Sequence, residues 1–215
     1  MAETLIVNEI FYSIQGESTY AGLPCVFVRL TGCNLRCIWC DTQFAFSEGT
    51  EMTVEQVLAK VTEFCCQLVE VTGGEPLLQP AVHTLMRRLC DLGHTVLLET
   101  NGAEDISTVD PRVIRIMDIK CPSSGESDKN RYSNLRHLTA KDELKFVIAD
   151  RPDYEWAKQQ LHQHKLSDRC VILFSPVWQR LPLKTLAEWI LTDHLPVRLQ
   201  AQWHKYIWGP EARSV

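Results

Sequence analysis

The sequence predicts an α/β fold, an open partial (β/α) barrel with a mostly parallel sheet and shortened helical crossovers. Three observations carry that reading. Short apolar runs recur along the 215 residues, segments with helical spacing separate several of them, and every chemically suspicious motif falls where a run ends. Strands alternating with helices imply right-handed crossovers, a parallel sheet and ligands at the strands' carboxyl ends. Seven predicted strands fall short of a closed eight-fold barrel, so the mouth is expected to be open and covered by residues 8–22 and the C-terminal tail. With no linker, repeat or low-complexity tract, residues 1–215 are expected to form one domain.

After an opening read as irregular, Val26–Leu30 is a short buried strand that leads directly into a cysteine-bearing loop. Thr53–Gln67 has helical spacing, with Thr53 as N-cap and Gln56 completing a capping box. Leu68–Thr72 is a strand ending in Gly73-Gly74-Glu75-Pro76, and Gln79–Leu92 is an amphipathic helix stopped by Gly93. Strands follow at Thr95–Glu99, Val113–Ile119 and Glu143–Ile148, then a helix at Pro152–Gln163 with proline in its first turn. A strand at Cys170–Phe174, a helix at Leu183–Leu191 and a strand at Val197–Ala201 complete the order. Pro122–Arg136, rich in Ser, Gly, Asp and Asn, is expected to be a mobile loop or lid.

Composition narrows the function class. A net charge of -5, from 22 Lys+Arg against 27 Asp+Glu, leaves no broad basic surface for a phosphate backbone, so nucleic-acid binding is not expected. No apolar stretch approaches the ~18 residues of a membrane span, and MAETLIVNEI lacks the basic start of a signal peptide, so a cytoplasmic protein without membrane contact is expected. Nine cysteines in such a chain argue for thiols and ligands rather than disulfides. Cys25, Cys65, Cys66, Cys90, Cys121 and Cys170 sit in apolar stretches and read as core residues.

Cys33-x3-Cys37-x2-Cys40 is different, because three thiolates within eight residues can reach adjacent corners of one metal centre. No second CxxC or HxxxH supplies a fourth ligand, so zinc, an iron–sulfur cluster and unligated thiols all stay open on spacing alone. Gly73-Gly74 would let a backbone approach a ligand closely, or would simply make a turn between strand and helix.

Cys33-Asn34-Leu35-Arg36-Cys37-Ile38-Trp39-Cys40 followed by Gly73-Gly74-Glu75-Pro76 resembles the radical S-adenosylmethionine (SAM) superfamily. The opening Asn8-Glu9-Ile10-Phe11-Tyr12-Ser13-Ile14-Gln15-Gly16-Glu17-Ser18, the triplet Cys40-Asp41-Thr42 and His204-Lys205-Tyr206 narrow the resemblance to the 7-carboxy-7-deazaguanine synthase family, from about residue 7 to about 209. Activases of glycyl-radical enzymes share the cysteine spacing and are the second reading. The resemblance implies ring contraction of 6-carboxy-5,6,7,8-tetrahydropterin to 7-carboxy-7-deazaguanine with loss of ammonia, in queuosine and 7-deazapurine biosynthesis. It implies a [4Fe-4S] cluster on Cys33, Cys37 and Cys40, SAM chelated at the open iron and regenerated at the end, and Mg2+ on Thr42.

By the same resemblance, Trp39, Cys40, Asp41, Gly73, Gly74, Glu75, Cys121, Pro122 and Ser123 border SAM. Ile14, Gln15, Gly16, Glu17, Arg29, Thr72 and His204 contact substrate, with the Arg29 fork suited to a carboxylate and Glu17 to the guanidine-like edge of a pterin. The expected partners are the small-molecule pterin, a one-electron donor such as a flavodoxin, and a second copy in a homodimer. Two departures stand out. The chain continues past His204 to Val215, which argues against a terminal-carboxylate contact, and Trp203 is bulky enough to reshape the pocket floor.

Overall fold

A computed structural model describes residues 3–215 as a single nine-stranded sheet. The strands are β1 (Thr4–Ile14), β2 (Pro24–Leu30), β3 (Thr50–Thr53), β4 (Leu68–Gly73), β5 (Thr95–Thr100), β6 (Ile114–Ile119), β7 (Glu143–Ile148), β8 (Val171–Pro176) and β9 (Arg198–Leu199). Their order is β3-β1-β2-β4-β5-β6-β7-β8-β9, and the two edge strands do not pair, so the barrel is open. From β2 to β9 every neighbouring pair is parallel. These parallel strands are the ones the sequence pattern predicts.

The opening is not irregular. It forms β1, antiparallel to both β2 and β3, and its register shifts between Val7 and Glu9. That bulge breaks the alternation by which a half-buried strand is recognised. β3 is short and largely exposed, which leaves no periodicity to read.

The helices are α1 (Val54–Glu63), α2 (Val82–Asp91), α3 (Arg151–His164), α4 (Leu183–Thr192) and α5 (Trp203–Ile207). Thr53 caps α1 through the expected box, accepting from Gln56 N while the Gln56 side chain accepts from Thr53 N. The helix stops short of Gln67 because Phe64 ends it and Cys65 takes a left-handed backbone with φ 50°. Cys65 is exposed rather than in the core. The expected strand at 197–201 shrinks to two residues, and α5 replaces the strand end expected beside His204. The predicted mobile stretch 122–136 is built of three 3-10 turns pinned by buried Asn134, which donates to Gly102 O and Glu104 O, and by Asn130, which donates to Lys120 O.

Side-chain alternation on the parallel strands positions the site. One face packs on the helices through residues such as Val26, Val28, Val69, Val71, Leu98 and Met117, each fully buried. The other face points into the barrel and changes character along its length. Cys25, Phe27, Leu68, Leu97, Ile114 and Ile116 form an apolar floor, with Phe27 stacked on Phe11 at 4.9 Å. Further along the same faces, toward the carboxyl ends of the strands, come Arg29, Glu70, Thr72, Glu99, Asp118 and Lys145.

Candidate active site

A cavity of about 470 Å³ opens above this floor at the carboxyl ends of the strands. Its walls include Cys33, Cys37 and Cys40 at one end and Ile14, Gln15, Gly16, Glu17, Arg29, Thr72 and His204 at the other, with Trp39, Asp41, Thr42, Gly73, Gly74 and Cys121 between or beside them. The elements most distant in sequence thus meet at one cavity. The C-terminal residues 210–215 line this cavity. Arg213 pairs with Glu48 (3.0 Å) and lies 3.8 Å over the Phe44 ring, while the Ser214 hydroxyl donates to Glu9 (2.7 Å). Val215 itself lines the cavity, so the extension folds back rather than leading away. Trp203 is half exposed and off the cavity wall, contrary to the expected reshaping of the floor; Gln202 and His204 face in instead.

The cysteine loop is held by close backbone contacts. Gly74 N donates to Leu30 O (3.1 Å), Glu75 N to Gly32 O (2.7 Å), and Gly32 N to Ala45 O (2.8 Å). A Cβ on Gly73 would fall 2.2 Å from Leu30 O, and one on Gly74 would fall 2.1 Å from Gly32 O and 2.9 Å from Cys33 Cβ. The two glycines are therefore required by the approach of the cysteine loop itself. Cys33, Cys37 and Cys40 are free, half-buried thiols, and burial pushes the Cys33 and Cys37 thiols up from their ordinary range. Among the described residues no three His, Cys, Asp or Glu side chains converge on a single-ion site, whereas three thiols spread around a multi-iron cluster need not converge so closely. Three soft sulfur donors on one glycine-cradled loop, facing a polar cavity, fit an iron–sulfur cluster with one open corner.

Glu75, Pro122 and Ser123 lie off the cavity wall. The Glu75 carboxylate is fully buried and accepts from Leu77 N, the Thr100 hydroxyl and Asn101 N, so it fastens the end of β4 to the end of β5. Ser123 N donates to Asp153 and its hydroxyl to Asp150 at the start of α3. Cys121 and Ser124, on either side, do reach the cavity. Thr42 precedes a 3-10 turn without capping it through its side chain; its hydroxyl lies within hydrogen-bond reach of Cys40 Sγ, at 3.7 Å.

Charged groups also line the cavity. Arg29 Nε donates to Glu9 (2.7 Å), with the guanidinium 5.8 Å from the Phe11 and Phe44 ring centres, and no described residue hydrogen-bonds its two terminal nitrogens. Lys145 pairs with Glu99, with Glu17 (3.0 Å) and with Asp118 (3.5 Å). Burial pulls its ammonium down, but Asp118, Glu17 and Glu99 outweigh this and hold it charged. Lys120 pairs with Asp118 (2.6 Å), and Lys205 with Asp41 (2.6 Å). Glu17 also accepts from Gln200 and Gln202, at 2.8 and 2.9 Å. Burial holds His204 below its usual range against the opposing pull of Glu17, which favours the neutral ring at neutral pH.

Glu70, Glu99, Asp118, Lys120, Lys145 and Lys205 are cavity residues that the motif reading passed over. A signal existed for four of them: one or two charges inside an otherwise apolar strand, as in LVEVT, VLLET, IRIMDI and ELKFVI. Such a charge must have partners at the strand's inner face or an open end to reach.

Similarities to known proteins identify relatives of the whole chain. The radical SAM superfamily profile matches residues 27–118. The chain is 49% identical over 214 residues to the 7-carboxy-7-deazaguanine synthase of Chlorobaculum tepidum, spanning 98% of this chain and 97% of that protein. It is 44% identical over 224 residues to the synthase of Koribacter versatilis, spanning 97% and 99%. The fold resembles the crystal structure of QueE from Escherichia coli, with a TM-score of 0.78 at 22% identity over 93% of this chain and 94% of that one.

Proposed function

The chain belongs to the 7-carboxy-7-deazaguanine synthase family of radical SAM enzymes, and from that premise we propose that it contracts 6-carboxy-5,6,7,8-tetrahydropterin to 7-carboxy-7-deazaguanine with release of ammonia. As a member it is a radical SAM enzyme of 7-deazapurine biosynthesis acting on a small molecule, and its family implies a [4Fe-4S] cluster and SAM. The observation that carries the finer reading is the single cavity that joins three cluster-ready thiols to an arginine fork, a buried amide and an acid at its other end. When bound, the cluster and SAM supply a carbon-centred radical by one-electron cleavage of the sulfonium.

The rest of the reading concerns what the chain's own residues do. Cys33, Cys37 and Cys40 hold the cluster, and the backbone at Gly73 and Gly74 with Trp39, Asp41 and Cys121 borders SAM. Arg29, steadied by Glu9 through Nε, offers its remaining edge to the substrate carboxylate. Gln15, Glu17, Thr72 and His204 surround the ring, and Gly16 leaves room for the imidazole, since a Cβ there would sit 2.4 Å from His204 Nδ1. The Thr42 hydroxyl serves Mg2+, an ion that keeps most of its waters and binds partly through substrate. Glu75, Pro122 and Ser123 act one layer behind, by fixing strand ends.

A homodimer fits the unpaired edge strands and the exposed Trp203, Tyr206, Ile207 and Trp208, and a flavodoxin-type carrier suits the electron supply. Among the described residues no helix is long and apolar enough to cross a membrane, and a cytoplasmic site of action is part of the reading. Thermal stability of the anaerobically reconstituted protein tests substrate class. Carboxytetrahydropterin added with SAM is expected to raise the melting temperature beyond SAM alone. No shift with the pterin would turn attention to the activase reading.

A further inference from the structure

Glu70 is the most deeply buried acid lining the cavity, and the reading above leaves it without a task. It stands mid-strand in β4 between Val69 and Val71, is 4% exposed, and accepts a hydrogen bond from Gln15 Nε2. Gln15, 2% exposed, is engaged at its other end as well, where its Oε1 accepts from Glu17 N (3.0 Å). These two bonds leave the amide one orientation. Turned over, it would set its NH2 against the Glu17 N–H and lose that bond inside a buried site, and against an ionised Glu70 it would lose the second bond as well. Glu17 is in turn fixed by Lys145, Gln200 and Gln202.

We infer that Glu70 is a positioning residue for substrate recognition: by locking the Gln15 amide it decides that this wall presents an N–H donor nearest the strand and a carbonyl acceptor nearest Glu17. The ligand class it selects is a fused heterocycle with an alternating donor and acceptor edge. This rests on the substrate reading given above for Gln15. The role needs only an acceptor oxygen at Glu70, which either protonation state provides and which a glutamine carbonyl also provides.

Binding of carboxytetrahydropterin and of SAM to the reconstituted protein, measured separately by calorimetry under anaerobic conditions, makes the test. Glu70→Leu is expected to weaken pterin binding roughly tenfold to a hundredfold, the cost of unfastening a buried hydrogen-bonded group, with SAM binding within about twofold of wild type. Glu70→Gln is expected to restore pterin binding to within a few-fold, and Glu70→Leu is expected to add little to Gln15→Leu. Pterin binding unchanged in Glu70→Leu, equal loss for SAM, or a Gln variant as weak as the Leu variant would each overturn the inference. If the Leu variant does not fold, Gln15→Glu combined with Glu70→Gln keeps the bond with its direction reversed and removes the donor from the cavity. That pair should lose pterin binding by a similar factor, and unchanged binding contradicts the role. A wild-type protein that does not bind the pterin at all refutes the substrate reading instead.

Discussion

Gly74→Ala is a one-carbon perturbation whose effect can be worked from the structure. The new Cβ would lie 2.1 Å from Gly32 O, and real Cβ contacts essentially never fall below 3.0 Å, so about 0.9 Å must be found. The obstructing atom is backbone. Gly32 is tied by its carbonyl to Glu75 N (2.7 Å) and by its amide to Ala45 O (2.8 Å), so moving it breaks or strains both bonds. Overpacking costs about 1–3 kcal/mol and each of the two lost bonds about 1 kcal/mol, which places the total at about 3–5 kcal/mol. For a chain of this size that lowers the melting temperature by roughly 6–20 °C. Because Gly32 adjoins Cys33, the same displacement moves a cluster ligand. Differential scanning calorimetry of the apo protein and iron and sulfide analysis after reconstitution report the two effects. A variant that melts with wild type and loads a full cluster would refute the argument that these glycines exist to seat the cysteine loop.

Three further predictions follow from the site. Burial raises the Glu75 carboxyl from 4.5 to about 7 against the opposing hydrogen bonds of Asn101, Leu77 and Thr100; the folded protein then keeps a proton that the unfolded chain has released, so stability falls as pH rises from about 4.5 to 7 and levels above it. Glu75→Gln should flatten that slope, worth up to about 3 kcal/mol, in denaturant melts at pH 5, 6 and 7, and parallel curves would contradict it. Arg29→Lys should weaken pterin binding about tenfold or more while leaving SAM binding intact, because an ammonium cannot replace the fork's free edge; unchanged pterin affinity would make Arg29 purely structural. Thr42→Ala should leave SAM cleavage largely intact yet abolish the response to added magnesium, and equal loss of both would remove the metal from that hydroxyl.

The parallel strands β2 and β4 to β8 were legible because they are largely buried on both faces and read as mostly apolar runs bounded by turn residues. β1 was not, since its bulge at Val7–Glu9 interrupts the alternation, and the two-residue β9 and five-residue α5 are too short to show a period. The segments that the motifs single out, Cys33–Cys40 and Ile14–Glu17, line one cavity in the structure. The motifs misplaced Glu75, where an acid beside glycines looks like a ligand but is consumed by three donors from neighbouring backbone and Thr100. Glu70, Glu99, Asp118 and Lys145 belong to no local motif; only strand register brings them together, and register is a property of the assembled sheet. The tail's return to the cavity through Arg213 and Ser214 likewise depends on partners more than 160 residues away.

The central claim is the chemistry assigned to the cavity, and one assay addresses it directly. The protein, reconstituted anaerobically with iron and sulfide, is incubated with reductant, SAM, magnesium and 6-carboxy-5,6,7,8-tetrahydropterin, and the products are read by mass spectrometry. The account predicts 7-carboxy-7-deazaguanine, formed with release of ammonia and without stoichiometric consumption of SAM. Formation of 5′-deoxyadenosine alone, with the pterin recovered unchanged, would contradict it and leave only the cluster and SAM assignments standing.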